Sequence, residues 1–167
     1  MMEISVLRCA ELLDQKKLKI AFVESATSGA LCSKFALTPF SENILLGSIV
    51  SYHASAKNDI LNISDKFLKD YSAQSPEVTK LMAIRAQALF KKANLLVAVT
   101  GITKNGENET VNKPVGTMFI HIIYQNKSFV FKEFFKGNSH QIIDKTLQFI
   151  SNSIINLINS NHFILNN

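Results

Sequence analysis

A four-residue apolar run, Ile20-Ala21-Phe22-Val23, passes directly into Glu24-Ser25-Ala26-Thr27-Ser28-Gly29. Short uninterrupted apolar runs are characteristic of strands covered on both faces of a parallel sheet. Leu31, Phe35 and Leu37 then recur at near-helical spacing, which predicts a helix beginning within Ser25–Ser28. A strand that opens through hydroxyls and glycine into a helix commits the chain to an α/β arrangement. It also builds an anion site, because free N–H groups and the helix dipole face whatever lies beyond the strand. An ordinary Ser or Thr N-cap accounts for the same residues equally well.

The rest of the chain repeats the alternation. Ile4, Leu7, Leu12 and Leu13 give a first helix up to about Lys16. After a helix stop at Thr38-Pro39, Ile44 to Tyr52 reads mostly as a second strand. Short helices are expected around Ile60-Leu61 and Phe67 to Tyr71. Ser75-Pro76-Glu77 is a strong helix start, with a hydroxyl cap, Pro at the first helical position and an acid in the first turn. That helix is expected to reach about Lys92, before the buried strand Leu95 to Gly101. Thr103 to Pro114 lacks hydrophobic periodicity and is long enough for a functional loop. Gly116–Tyr124 and Phe129–Phe135 pair as a hairpin across Gln125-Asn126-Lys127-Ser128, and a last apolar helix starts near Asn138–Ser139. The expected fold is a three-layer α/β/α sandwich, α/β in class. Its sheet is mostly parallel with an antiparallel edge hairpin, and residues 1–167 form a single domain.

Composition narrows the function classes. With 47% hydrophobic and 19% charged residues, wholesale disorder is excluded. Eighteen Lys and Arg against thirteen Asp and Glu give +5, but no basic run is interleaved with aromatics, so there is no specific nucleic-acid signal. A mildly basic surface suits an anionic small molecule. Cys9 and Cys32 lack metal-ligand spacing and read as reduced thiols. The N-terminus has no signal-peptide pattern and no run suits a membrane span, so the cytoplasm is the expected location, with no membrane partner. His53, His121, His140 and His162 are scattered, which predicts no metal.

Ligands of open α/β sheets bind beyond the carboxyl ends of the strands. Three such ends carry functional groups: Glu24-Ser25-Ala26-Thr27, Ser51-Tyr52 with Lys57 close behind, and Thr100-Gly101. Serine and lysine together perform acyl transfer when the lysine is desolvated enough to act as a base. A solvated surface lysine, a packed tyrosine and a plain strand-end turn are the alternative readings of Lys57, Tyr52 and Thr100-Gly101.

These residues stand in an order that resembles the C-terminal domain of the competence/damage-inducible protein CinA. Its members include stand-alone nicotinamide mononucleotide deamidases. The family's Glu-Ser-Cys-Thr-Gly-Gly is matched by Glu24-Ser25-Ala26-Thr27-Ser28-Gly29. Its Pro-Gly-Ser-Ser, Val-Val-Ser-Tyr-Ser-Asn and Ala-Lys elements align with Pro39-Phe40-Ser41-Glu42, Ile49 to Ala54 and Ala56-Lys57. Val-Ser-Glu-Glu-Val is similar to Gln74 to Val78, and Thr-Gly-Ile-Ala-Gly-Pro to Thr100 to Asn105. Lys-Pro-Val-Gly-Thr is intact at Lys113 to Thr117.

The resemblance implies hydrolysis of the amide of nicotinamide mononucleotide, without metal or cofactor. It implies Lys57 as base, Tyr52 as its neighbour, and Ser41 or Ser25 as the nucleophile. It further implies substrate contacts from Glu24, Thr27, Gly29, Glu42, Thr100, Gly101, Lys113 and Gly116, and a homodimer. The apolar last helix and Ile164-Leu165 suit a subunit contact, and one well-packed core explains the helix equally well. The chain departs from the pattern at Ala26, Ser28 and Glu42, in a glycine-rich loop that has become Lys104 to Asn108, and at Ser139, where the family carries an arginine suited to phosphate. A catalytically degenerate relative that binds a nucleotide or a protein partner without turnover is the alternative.

Overall fold

The computed structural model describes residues 4–106 and 109–164, with side chains described to 160. The expected tail contact through Ile164-Leu165 therefore lies outside the described side chains, as do Glu107 and Asn108 of the altered loop. Five strands form one sheet in the order β2-β1-β3-β4-β5. They are β1 (Ile20–Glu24), β2 (Leu45–Val50), β3 (Leu95–Gly101), β4 (Thr117–Tyr124) and β5 (Lys127–Phe134). β1 pairs in parallel with β2 and with β3, while β3–β4 and β4–β5 are antiparallel. Every strand except β4 thus runs in one direction, and the antiparallel hairpin forms one edge.

Helices cover both faces, making the three layers expected. On one face α1 (Ile4–Gln15), α2 (Ala30–Ala36) and α7 (Ser139–Ile164) bury Val6, Leu13, Phe35 and Ile150 against Phe22, Val97, Ile120 and Ile122. On the other, α4 (Ala54–Leu61), α5 (Asp65–Tyr71) and α6 (Pro76–Gln87) pack Leu61, Leu68, Val78 and Met82 onto Val23, Leu96, Ala98 and Ile123. β1 and β3 sit in the middle, and all five residues of β1 are buried, which is why its sequence shows no alternation. α7 is long, but no described helix is long and apolar enough to cross a membrane.

Four boundaries differ from the sequence expectation. The hairpin turn is two residues rather than four: Gln125 and Asn126 both take positive φ (51° and 61°), as a tight hairpin turn of matching twist requires. α6 ends at Gln87, five residues early. A one-turn helix, α3 (Ser41–Ile44), precedes β2 without any sequence signal. Most informative, α2 starts at Ala30, after left-handed Ser28 (φ 51°) and Gly29 (φ 93°).

Candidate active site

The late start of α2 has an identifiable cause. The Glu24 side chain, fully buried at the end of β1, turns back under the helix and accepts five hydrogen bonds. Its Oε2 accepts from Thr27 Oγ1 (2.8 Å), the Gly29 N–H (3.0 Å) and the Leu31 N–H (3.1 Å); its Oε1 accepts from the Cys32 N–H (3.0 Å) and Ser48 Oγ (3.0 Å). The helix N-terminus does bind an anion, but the anion is the protein's own carboxylate. Glu24, Thr27 and Gly29 are therefore corrected from substrate contacts to the parts of an internal cap. The chain between the carboxylate and the helix is thrown outward as a tight turn, stapled by Ser28 N–H to Ser25 O (3.1 Å) and Ala30 N–H to Thr27 O (2.9 Å).

Ser25 stands at the root of that turn, held by its N–H to Val99 O at 3.0 Å and only 4% exposed. Facing it is Lys57, the one fully buried lysine among the described residues. β2 and α4 bring it there. Ser51 leaves β2 still tied to β1 through its N–H to Glu24 O (2.8 Å), and Lys57 lies one helical turn into α4. Lys57 Nζ reaches Ser51 O at 2.6 Å, Ser25 Oγ at 3.0 Å and Tyr52 O at 3.4 Å. Among the described residues no carboxylate pairs with it, and burial lowers its pKa from 10.5 to about 8. Two of its partners are carbonyls, which only accept, and the third is a hydroxyl, which can also donate. The ammonium donates to all three; in the neutral amine two N–H groups stay on the carbonyls and the lone pair can accept from the Ser25 O–H. A buried serine hydroxyl and a lysine of lowered pKa are thereby held in direct contact.

The pair opens into a cleft of about 330 Å³. Ser25, Ala26, Tyr52, His53 and Ala54 form one wall, and Gln74, Gly101 and the loop Ile102 to Gly106 form the other. Tyr52 thus contributes its carbonyl to Lys57 while its side chain is half-exposed at the cleft. Gly101 is required where it stands, since a Cβ there would lie 2.7 Å from Thr117 O and 2.3 Å from Met118 Sδ.

The remaining expected site residues fall elsewhere. Thr100 is buried behind the cleft. Its hydroxyl lies 2.7 Å from Thr79 Oγ1, whose own proton goes to Ser75 O (2.6 Å), so Thr100 donates to Thr79. Lys113 braces the long loop against the α5–α6 connection, donating to Ser72 Oγ (2.9 Å) and Gln74 O (3.1 Å). Gly116 (φ 102°) passes so close to Phe135 O that a Cβ would sit 2.2 Å away, and it does not line the cleft. Ser41 and Glu42 are the largest correction. They lie in α3, ahead of β2, at the amino-terminal end of the sheet, where Lys19 Nζ donates to Asn43 O (3.0 Å) and Asn43 Nδ2 to Asp14 Oδ1 (2.8 Å). Ile20 aligns with Leu45 and Glu24 with Val50, so a strand's length of about 16 Å separates them from Lys57. Ser25 is the serine that meets the lysine.

Several site residues escaped sequence reading. Ser48 looked like a strand residue, and its role depends on β1–β2 register. Gln74 comes from the α5–α6 connection, and its Oε1 is buried without a partner among the described residues. Ser139, at the start of α7, donates to Thr103 O at 2.7 Å and so anchors the loop that lines the cleft. His53 caps α4 through Nδ1, a role that its position after a strand and before Ala54 hinted at.

The fold and site together define a three-layer α/β/α domain with a buried Ser–Lys pair at the carboxyl ends of its central strands. Residues 4–158 match the CinA C-terminal domain, and the chain belongs to that family. A CinA-like protein of Flavobacterium psychrophilum is 36% identical over 137 residues, 82% of this chain and 32% of the relative; the chain thus spans about a third of the length of such curated relatives. Among solved structures, a CinA superfamily protein from Escherichia coli superposes with a TM-score of 0.84 at 23% identity, covering 94% of this chain and 90% of that one. The competence/damage inducible protein CihA from Agrobacterium tumefaciens does so with a TM-score of 0.83 at 22% identity, covering 94% and 98%. At these identities the structures establish a shared fold.

Proposed function

We propose that the domain hydrolyses a carboxamide, with nicotinamide mononucleotide as the substrate to which its family resemblance points. The single observation that carries this reading is the 3.0 Å contact between buried Lys57 Nζ and Ser25 Oγ at the head of an open cleft. Neutral Lys57 takes the Ser25 proton as Oγ bonds to the carboxamide carbon. The oxyanion that forms is met by the backbone N–H of Ala26, which lines the cleft and makes no hydrogen bond among the described residues. Lys57 returns the proton to nitrogen, the C–N bond breaks and ammonia leaves. Water, deprotonated by the same amine, then cleaves the Ser25 ester to give the carboxylate. No step draws on a metal or cofactor. The cytoplasm and a homodimer remain part of the proposal through the family resemblance.

The test is ammonia release from nicotinamide mononucleotide by the purified chain, beside Ser25→Ala and Lys57→Ala. Turnover abolished by both substitutions supports the reading. Lysine-independent turnover, or none at high enzyme concentration, overturns it. Ser139, which stands where the family carries an arginine, favours a second reading: a relative that binds nucleotide or partner protein without turnover. Ligand-induced thermal stabilisation with no ammonia released would establish that one.

A further inference from the structure

We propose that two copies of this chain join through β5, the strands pairing antiparallel about a two-fold axis at Val130 to make one continuous sheet. The inference gives the proposed homodimer its interface and does not depend on the amidase reading. β5 is the last strand of the sheet, with β4 its only neighbour. It keeps unbroken register with β4 over all eight residues, from Lys127 against Tyr124 to Phe134 against Thr117. Alternate residues of such an edge turn their N–H and C=O groups outward, a template for a further strand unless proline, a bulge or a covering element blocks it. β5 contains no proline and no bulge, and no described strand pairs with its outer side. Val130 and Phe134 on it are half-exposed, at 55% and 50%.

The side chains decide what this template fits. They alternate between faces, so Lys127, Phe129, Phe131 and Glu133 share the face towards α7, where Phe131 meets Phe149 at 5.3 Å between ring centroids. A two-fold axis perpendicular to the sheet keeps each face with its own counterpart. Centred on Val130, it sets Lys127 opposite the partner subunit's Glu133 and Phe129 opposite the partner subunit's Phe131, and each pair occurs twice. On the other face Val130 meets its own counterpart, and Lys132 meets the partner's Ser128. Side chains directly opposite one another lie about 5 Å apart, close enough for ion pairs and ring contacts. Other registers lose the match. Centred on Phe131, the axis sets Glu133 against phenylalanine; centred on Lys132, it sets that lysine against itself. Neither Lys127 nor Glu133 has an ion-pair partner among the described residues. Charges that would guard a lone edge are thus complementary to a second copy in this one register.

The experiment is sedimentation equilibrium of the unaltered chain, Lys127→Glu, Glu133→Lys and the double variant, over a wide range of protein concentration. None of these residues lines the Ser25 cleft, and thermal melting by circular dichroism checks that each variant is folded. Each single substitution sets like charges opposite one another at both ends of the interface. It is expected to raise the dimer dissociation constant at least about tenfold. The double variant restores both pairs with signs exchanged and is expected to dimerise like the unaltered chain. Val130→Cys is expected to give a covalent dimer under a mild oxidant, which the unaltered chain does not, because facing Cα atoms lie about 4.5–5.5 Å apart. A dimer that neither single substitution weakens, no recovery in the double variant, or no cross-link at position 130 overturns the β5 interface. A chain that is monomeric at every concentration overturns the homodimer with it and leaves the edge to an extended segment of another protein. Ammonia release enters none of these measurements, so failure of the amidase reading is told apart from failure of this one.

Discussion

Two buried ionisable groups stand on either side of Ser25, and the protein treats them in opposite ways. Glu24 receives five hydrogen bonds from backbone N–H groups and hydroxyls, all of which can only favour an acceptor in that position. Its charge is spent on fixing a turn and a helix. Lys57 is as deeply buried, yet its partners are two carbonyls and one hydroxyl, with no opposite charge. Burial disfavours its ammonium relative to a solvated lysine and lowers its pKa to about 8. Burial is common to both; the chemistry of the partners decides that one holds a turn and a helix while the other, under the proposed function, serves as the base.

The largest effect expected from this contrast is on Lys57. Lys57→Ala removes the only base in contact with Ser25 and is expected to lower kcat for amide hydrolysis at least about a thousandfold, with the urea midpoint shifted far less than in Glu24→Ala. Glu24→Ala strands three helix N–H groups and two hydroxyls. It is expected to destabilise the fold by about 3 kcal/mol or more in urea titration; an unchanged midpoint would break the division between scaffold and base.

The pH dependence separates them further. The base works deprotonated, so kcat/KM is expected to rise with pH and level off above about 8. Stability carries the matching sign. An unfolded lysine titrates near 10.5 and the folded one near 8, so between those values the unfolded chain binds more protons and stability rises with pH. Lys57→Met should lose that component of the rise, measured as the urea midpoint at pH 7 and pH 10. The smallest effect belongs to the turn between the two groups. Ser28 is left-handed at φ 51°, a conformation that glycine adopts without penalty, so Ser28→Gly is expected to raise the melting temperature by a stabilisation of about 0.5–1 kcal/mol.

The amino-terminal edge of the sheet sharpens the lesson. Ser41 and Glu42 sit four and three residues before β2, and by sequence alignment alone they compete with Ser25 for the lysine. Sequence order does not say at which end of a strand a neighbouring loop lies. Once β2 runs parallel to β1, residues before it are at one edge and residues after it, Ser51 to Lys57, at the other.

Much was legible in the sequence by itself, because it depends on local chemistry. The continuous apolar runs of β1 and β3, the Ser75-Pro76-Glu77 start of α6 and the period of α7 follow from patterning and capping, and they are enough for a three-layer α/β/α domain. The motif order likewise drew attention to Lys57 and Tyr52, and left Ser25 and Ser41 as rival serines. Tertiary structure alone decided which serine meets the lysine and that Glu24 fills the helix N-terminus. Each of those depends on strand direction, register and burial between residues far apart in the chain, and a pKa is shifted by such surroundings rather than by sequence neighbours.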